Sequence, residues 1–348
     1  MPTAVIDAFL QQAKASDSLG SPFTASLCRL LAGRLDHTTR FGHKILDWPG
    51  DPAADVLPLR ACGALHALAR SWKEPELKAA YPPAAFDADN LWMMIHDVLT
   101  RHDNWLAAFL DSPPQTNEVA RSAVVLGAAL HVAAMTRLPI ELFEIGSSGG
   151  LNLRFDRYRY QLGNGRSWGD ADSPLSIPSE WRGVLPPLSA KVNVVARAGC
   201  DRNPLDPASE ADAERLLAYV WPDQTHRLAR LQTALALCAA DGIKVERMDA
   251  ADWVEHGLAR PPRQGAVRLL FHTIVWQYMP AEAKARIDAA IAKAAATATE
   301  ETPIVRFGYE PGGKGEGAAL SLTLWPEART IDLGRADFHG RWVEWAEV

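Results

Sequence analysis

Over residues 1–138 the apolar positions recur at helical spacing, and after them short apolar runs alternate with helical ones. Val5, Ile6, Phe9 and Leu10 share one helical face. Ser21-Pro22 reads as a helix start with proline in the first turn, and Leu27, Leu30, Leu31 and Leu35 line that helix. Asp51-Pro52 leads into a helix over Val56–Ala69. Pro82 and Pro83 interrupt the pattern, Asn90 is placed to cap a long helix over Leu91–Leu110, and Pro113-Pro114 ends it. Thr116 and Glu118 open the next helix. No strand is predicted before Ile140, so residues 1–138 read as an all-helical cap or extension domain.

From Ile140 the reading changes. Ile140–Ile145 is strand-like and runs into Gly146-Ser147-Ser148-Gly149-Gly150, with a short helix over Leu151–Asp156. Arg157–Leu162 alternates, and Gly163-Asn164-Gly165 signals a hairpin, so a β insertion is expected around 157–187. Lys191–Ala198 and Ile243–Met248 read as strands delivering Asp201 and Asp249 at their ends. Helices are expected within Ala211–Tyr219, after Trp221-Pro222, and over Ala281–Thr297. Ala266–Val275 is a near-continuous apolar run, the signature of a strand buried on both faces of a parallel sheet. Ile304–Phe307, Ala319–Leu324, Ile331–Leu333 and Arg341–Trp345 close the chain as strands. Residues 139–348 therefore predict an α/β domain with a mostly parallel sheet finished by an antiparallel hairpin.

Composition narrows the function. The net charge of −6 supplies no basic field, which argues against general nucleic-acid binding and leaves a small molecule as the expected partner. Cys28, Cys62, Cys200 and Cys238 are scattered and read as reduced, packed thiols. No export signal is visible, and the longest apolar run, Ser122–Met135, is short for a bilayer and contains His131, so a cytoplasmic protein without a membrane segment is expected. His96 and His102 lie on different sides of a helix, so no metal site is predicted.

The glycine turn carries the candidate chemistry. Glycines allow backbone N–H groups to approach a ligand, and the helix start beyond them adds its positive dipole end. Gly146-x-Ser148-x-Gly150 also fits the nucleophile elbow of α/β-hydrolases, with Ser148 activated by His272 or His339 and oriented by Asp249 or Asp206. Against that esterase reading, the elbow would follow the first strand of the sheet, and Glu144 would have no role. Gln115, Asn117 and Arg121 exceed what a helix cap needs and are candidate substrate groups.

Glu144-x-Gly146-x-Ser148-x-Gly150 resembles the first motif of S-adenosylmethionine-dependent methyltransferases, with Ser148 in place of the middle glycine. Gln115–Glu118, Glu144–Asn152, Asp201–Asp206, Trp221–Gln224, Trp276–Tyr278 and Ala336–Gly340 together resemble a bacterial family of unknown function grouped with that Rossmann-like fold. The resemblance implies S-adenosylmethionine as cofactor, held by Glu144, Gly146, Ser147, Ser148, Gly149, Gly150 and Asn152. It maps Asp201 onto the ribose and Asp249 or Asp252 with Trp253 onto the adenine. It implies that the segment after the Ala266–Val275 strand faces substrate, with His272 and Tyr278 as catalytic candidates and Trp276 and Gln277 as substrate wall. A non-catalytic binder of such a cofactor or of a nucleotide is the alternative. No Asn-Pro-Pro-Tyr motif for amino methylation is present.

Overall fold

The computed structural model describes residues 3–347. The chain divides into two compact units, one reaching Thr116 and taking in Glu210–Gln232, the other made of Asn117–Ser209 and the chain from Thr233 onward. The boundary differs from the expected 138/139 in two ways, each with a packing reason.

The first unit is helical, with Thr3–Ser18, Pro22–Arg34, Arg40–Leu46, Leu57–Arg70, Pro75–Ala79, Ala88–Arg101 and Asp103–Phe109 as its contiguous helices. Phe9, Phe23, Leu27, Leu31, Leu65 and Ile95 lie in its core, and Ala218 and Tyr219 from the later segment join them. Glu214 takes a bidentate pair from Arg70 at 2.9 and 3.0 Å, and Asp223 accepts from the Phe23 amide at 2.9 Å. These bonds draw 210–232 away from the role of crossover helices that the alternating pattern suggests. The single helix expected over Leu91–Leu110 is broken at His102, whose backbone leaves the helical region (φ −118°, ψ 20°). Glu74 binds both Arg101 and His102 there, and the Asp103 carboxylate accepts the Arg40 and Phe41 amides at 2.9 Å each.

The second unit is a mixed α/β structure. Its strands are β1 (Ile140–Ile145), β2 (Arg159–Gln161), β3 (Ser167–Trp168), β4 (Ser176–Pro178), β5 (Glu180–Gly183), β6 (Val194–Asp201), β7 (Glu246–Arg247), β8 (Val267–Thr273), β9 (Ile304–Glu310), β10 (Ala318–Trp325), β11 (Arg329–Ala336) and β12 (Trp342–Trp345). Nine form one sheet in the order β5-β12-β11-β10-β9-β8-β1-β6-β7. Strands β9, β8, β1, β6 and β7 are mutually parallel, and β9 to β12 continue as an antiparallel meander. β8 is buried at every position, Arg268, His272 and Thr273 included, as its near-continuous apolar run suggests. The insertion pairs β2 with β3 and β4 in a small separate sheet.

The helix Ser122–Thr136 belongs with this sheet rather than with the helices before it. It is apolar all round, as a helix enclosed by protein must be. With the turn before it, Val119–Thr136 reaches 18 residues of membrane-compatible length, beyond the shorter run read from the sequence, yet 78% of that stretch is buried in the fold.

Candidate functional site

In the parallel part of the sheet the chain starts in the middle at β1, moves outward through β6 to β7, then returns to the other side of β1 as β8 and β9. Such a reversal opens a crevice beyond the carboxyl ends of the strands, where open α/β sheets bind ligands. A cavity of about 190 Å³ lies there. Gly146 follows β1, Cys200 and Asp201 end β6, Met248, Asp249 and Ala250 follow β7, and Val275 and Tyr278 follow β8; all line it.

The turn itself is built for close approach. Gly146 has φ +71°, and a Cβ there would stand 2.6 Å from a methyl of Val275. The Gly146 and Ser147 amides both donate to the Cys200 carbonyl at 2.9 Å, which ties the turn to β6. Ser148 adopts φ +51°, a region where non-glycine residues are uncommon. Its amide donates to Asp201 Oδ2 at 2.9 Å, while Asp201 Oδ1 accepts from the Asn203 amide at 2.8 Å. Asp201 is thus oriented by the turn and by its own loop at the cavity wall. Burial pushes the Cys200 thiol up to about 12, so this neighbour enters as an uncharged wall.

Asp249 caps the helix Ala250–Ala259, its Oδ1 accepting from the Ala251 amide at 2.9 Å. The Ala250 amide is in the first turn of that helix, where N–H groups have no intrahelical acceptor. Tyr278 is 70% exposed at the lip, next to Met279 and Pro280.

Glu144 is beneath the turn rather than in the cavity wall. It shares its face of β1 with Ile140 and Leu142, opposite Phe143 and Ile145, which pack in a core cluster with Trp253 and Ile287. Only 1% of it is exposed, and its Oε2 has no hydrogen-bond partner among the described residues; the same holds for Asn152 Oδ1. Burial drives the Glu144 carboxyl well above its ordinary value, Asp201 adds to the rise, and Ser147, Asn152 and the charge of Arg154 oppose it. A raised carboxyl favours the unfolded chain once the pH passes its unfolded value near 4.5, so Glu144 lowers stability as pH rises from there. Glu144→Gln is therefore expected to be more stable than the parent at pH 7 and equal to it below pH 4, measured by denaturant unfolding at both pH values. A parent that is the more stable of the two at pH 7 would contradict the buried-acid assignment.

The underside of the turn is held by Arg154, 1% exposed, which the sequence reading passed over. It meets Asp241 through two bonds of 2.7 Å and donates to the carbonyls of Gly150 at 2.7 Å and Ile243 at 3.0 Å. The one available signal was an arginine set between the apolar Leu153 and Phe155.

Several expected site residues stand elsewhere. His272 is buried on β8: its Nδ1 is 2.8 Å from Glu310 Oε1, and Arg306 Nε donates to its Nε2 at 3.3 Å. Arginine only donates, so the ring proton is on Nδ1. Burial lowers the ring below its ordinary value against the opposing pull of Glu310. With both nitrogens engaged and no share in the cavity wall, His272 is not placed as a catalytic base. Trp276 stacks on that ring at 4.9 Å and also carries the Arg306 guanidinium 4.3 Å from its ring centre, so it packs the network rather than lining the cavity. Trp253 is a core residue against Phe143, and Asp252 pairs with Arg286 at 2.6 Å; neither reaches the cavity. Asn117 accepts the Leu151 amide at 2.9 Å, and Arg121 donates to the carbonyls of Phe338 at 2.9 Å and Thr273 at 3.4 Å. Both are bound to backbone where substrate groups were expected. Gln277 is exposed beyond β8, and Gln115 belongs to the helical unit. For the hydrolase arrangement, Asp206 is held by Lys244 and the Ala208 amide, and Asp249 by its capping bond.

No curated protein and no solved structure matches the chain. A family model described as an uncharacterized protein conserved in bacteria (DUF2332) matches residues 6–345. The chain, matched over nearly its whole length, belongs to that bacterial family.

Proposed function

We propose that this protein binds S-adenosylmethionine at the carboxyl edge of its parallel strands and transfers the methyl group to a small molecule. The supporting observation is convergence. The glycine turn after β1 and the acidic ends after β6 and β7 come from distant parts of the sequence and line one cavity. The order β7-β6-β1-β8-β9 is the 3-2-1-4-5 arrangement of a doubly wound nucleotide fold, and the first-motif resemblance falls on its first strand.

The cavity is smaller than the roughly 300–1,000 Å³ that a drug-sized ligand occupies, and it suits the nucleoside part of the cofactor. Asp201, oriented by two amides, accepts the ribose hydroxyls. The Ala250 amide and the second oxygen of Asp249 offer a donor and an acceptor matching one edge of adenine, with Met248 against the ring. Gly146, bare of a side chain at the cavity wall, leaves room for the remainder. Chemistry then rests on holding donor and acceptor in line, a source of rate that needs no strongly basic side chain.

Asparagine caps helices as well as aspartate does, so Asp249→Asn keeps the fold while removing a carboxylate acceptor. In calorimetric titration with S-adenosylmethionine and S-adenosylhomocysteine, the parent is expected to bind and Asp249→Asn to bind at least about tenfold more weakly, a loss of about 1.4 kcal/mol. Absence of binding by the parent at millimolar ligand would sink the proposal. Binding without methyl transfer to any acceptor would favour the non-catalytic binder.

A further inference from the structure

The first unit carries a second group of residues with chemistry of its own. His37 lies in the loop before the helix Arg40–Leu46, His43 in its last turn, and Asp47 at its C-cap. His37 Nε2 is 3.2 Å from Asp47 Oδ1, and His43 Nδ1 is 3.4 Å from Asp47 Oδ2. One ligand atom from each of the three lies within 4.8 Å of the others. From this geometry we infer that His37, His43 and Asp47 form a surface site for a divalent transition-metal ion of the zinc type.

Zinc bonds to imidazole nitrogen at about 2.0–2.1 Å in tetrahedral geometry, which separates neighbouring ligand atoms by about 3.3–3.4 Å. The two nitrogen–oxygen distances match that spacing, each to a different oxygen of Asp47, and rotation of the exposed side chains brings one atom of each residue from within 4.8 Å to the tetrahedral spacing. Two imidazoles and one carboxylate suit zinc, nickel or copper, whereas magnesium and calcium prefer oxygen ligands throughout. Three protein ligands at the surface leave a coordination position for water or a small ligand.

The frame that presents them is anchored. His43 and Asp47 are one helical turn apart, so their side chains share a face. Phe41 and Ile45 are fully buried and fix that helix, and Thr39 caps its start by accepting the Gly42 amide at 3.0 Å. Gly42 lets the preceding loop lie against the helix: a Cβ there would be 2.0 Å from the Asp36 carbonyl oxygen. That contact brings His37 over the helix's last turn. Neutral imidazole presents a lone pair to a metal by moving its proton to the other ring nitrogen.

The test uses the untagged full-length chain. Titration with zinc chloride by calorimetry is expected to show one ion bound with micromolar affinity, and zinc is expected to raise the thermal transition. Cobalt(II) in its place is expected to give visible d–d absorption of a low-coordinate site. His37→Ala and His43→Ala should each weaken zinc binding by more than about tenfold, with the double variant losing both signals and magnesium giving neither. The side chains are exposed, so the metal-free variants should melt with the parent. No zinc binding by the parent, or binding and a cobalt spectrum that survive in the double variant, would overturn the site.

Discussion

Replacing Arg154 with methionine is expected to lower the unfolding free energy of the sheet unit by about 3–5 kcal/mol, the size typical of breaking a buried ion pair from one side. The substitution removes the buried partner of Asp241, whose side chain is 7% exposed, leaves it only the half-exposed Arg157 at 3.1 Å as a cationic partner among the described residues, and strips donors from the carbonyls of Gly150 and Ile243. The paired geometry holds the Asp241 carboxyl below its ordinary value despite its burial. Its stabilising part is therefore present above pH 4 and lost as the pH falls through the folded value. Because an ion pair replaced whole by apolar groups is often close to neutral, Arg154→Met with Asp241→Leu should recover much of the loss. Denaturant unfolding of the single and double variants checks both statements, and an additive loss in the double variant would contradict the pairing account.

Acidification is expected to loosen the helical unit through His66. This residue is buried, its Nδ1 lies 3.0 Å from the Ala218 carbonyl oxygen, and it stacks on Tyr81 at 5.8 Å. Burial lowers the ring to about 3 against that backbone bond. The folded value lies below the unfolded one, so the unfolded chain takes up the proton first and stability falls as pH drops from 6.5 toward 3. By pH 5 the loss is on the order of 2 kcal/mol. Glutamine keeps a donor for the Ala218 carbonyl and does not titrate, so His66→Gln should flatten the profile. Hydrogen exchange of peptides from Leu57–Arg70 at pH 7 and pH 5 reads this unit separately. An identical pH response in the parent and His66→Gln would remove His66 from the account.

How much of this could be read from the residues depends on the range of the interactions involved. β1 and β8 are visible in sequence because burial on both faces favours a run dominated by apolar residues, broken in β1 by Glu141 and Glu144 and in β8 by Arg268, His272 and Thr273. β7 is only Glu246–Arg247, paired with Cys200 and Asp201 at the end of β6, where a longer strand over Ile243–Met248 was expected. Helical periodicity gives the helices at 210–218 and 225–239 but not their neighbours, since an apolar face looks the same whether it meets a sheet or another helix. In the site, Gly146, Asp201, Asp249 and Tyr278 were legible because strand-end position alone brings them to one edge. The roles of His272, Trp253, Asn117 and Arg121 were not, since each depends on which side of an element its side chain leaves. The bond between Arg154 and Asp241 joins positions 87 apart and leaves no local trace. No helix is read from the sequence over Arg40–Leu46, so only the fold brings His37, His43 and Asp47 together.

The interleaving of the two units has a consequence for the order of events during synthesis. The first unit lacks its last core contributions until residue 232 has been made, 116 residues after its first segment ends at Thr116. At about 5–20 residues per second, that segment waits roughly 6–23 s with the places of Ala218 and Tyr219 unfilled. Meanwhile β1 and β6 have been made without β8, the strand that flanks β1 on its other side. For that interval the ribosome carries two half-built cores on one chain, and the late arrival of Glu210–Gln232 decides when the first of them closes.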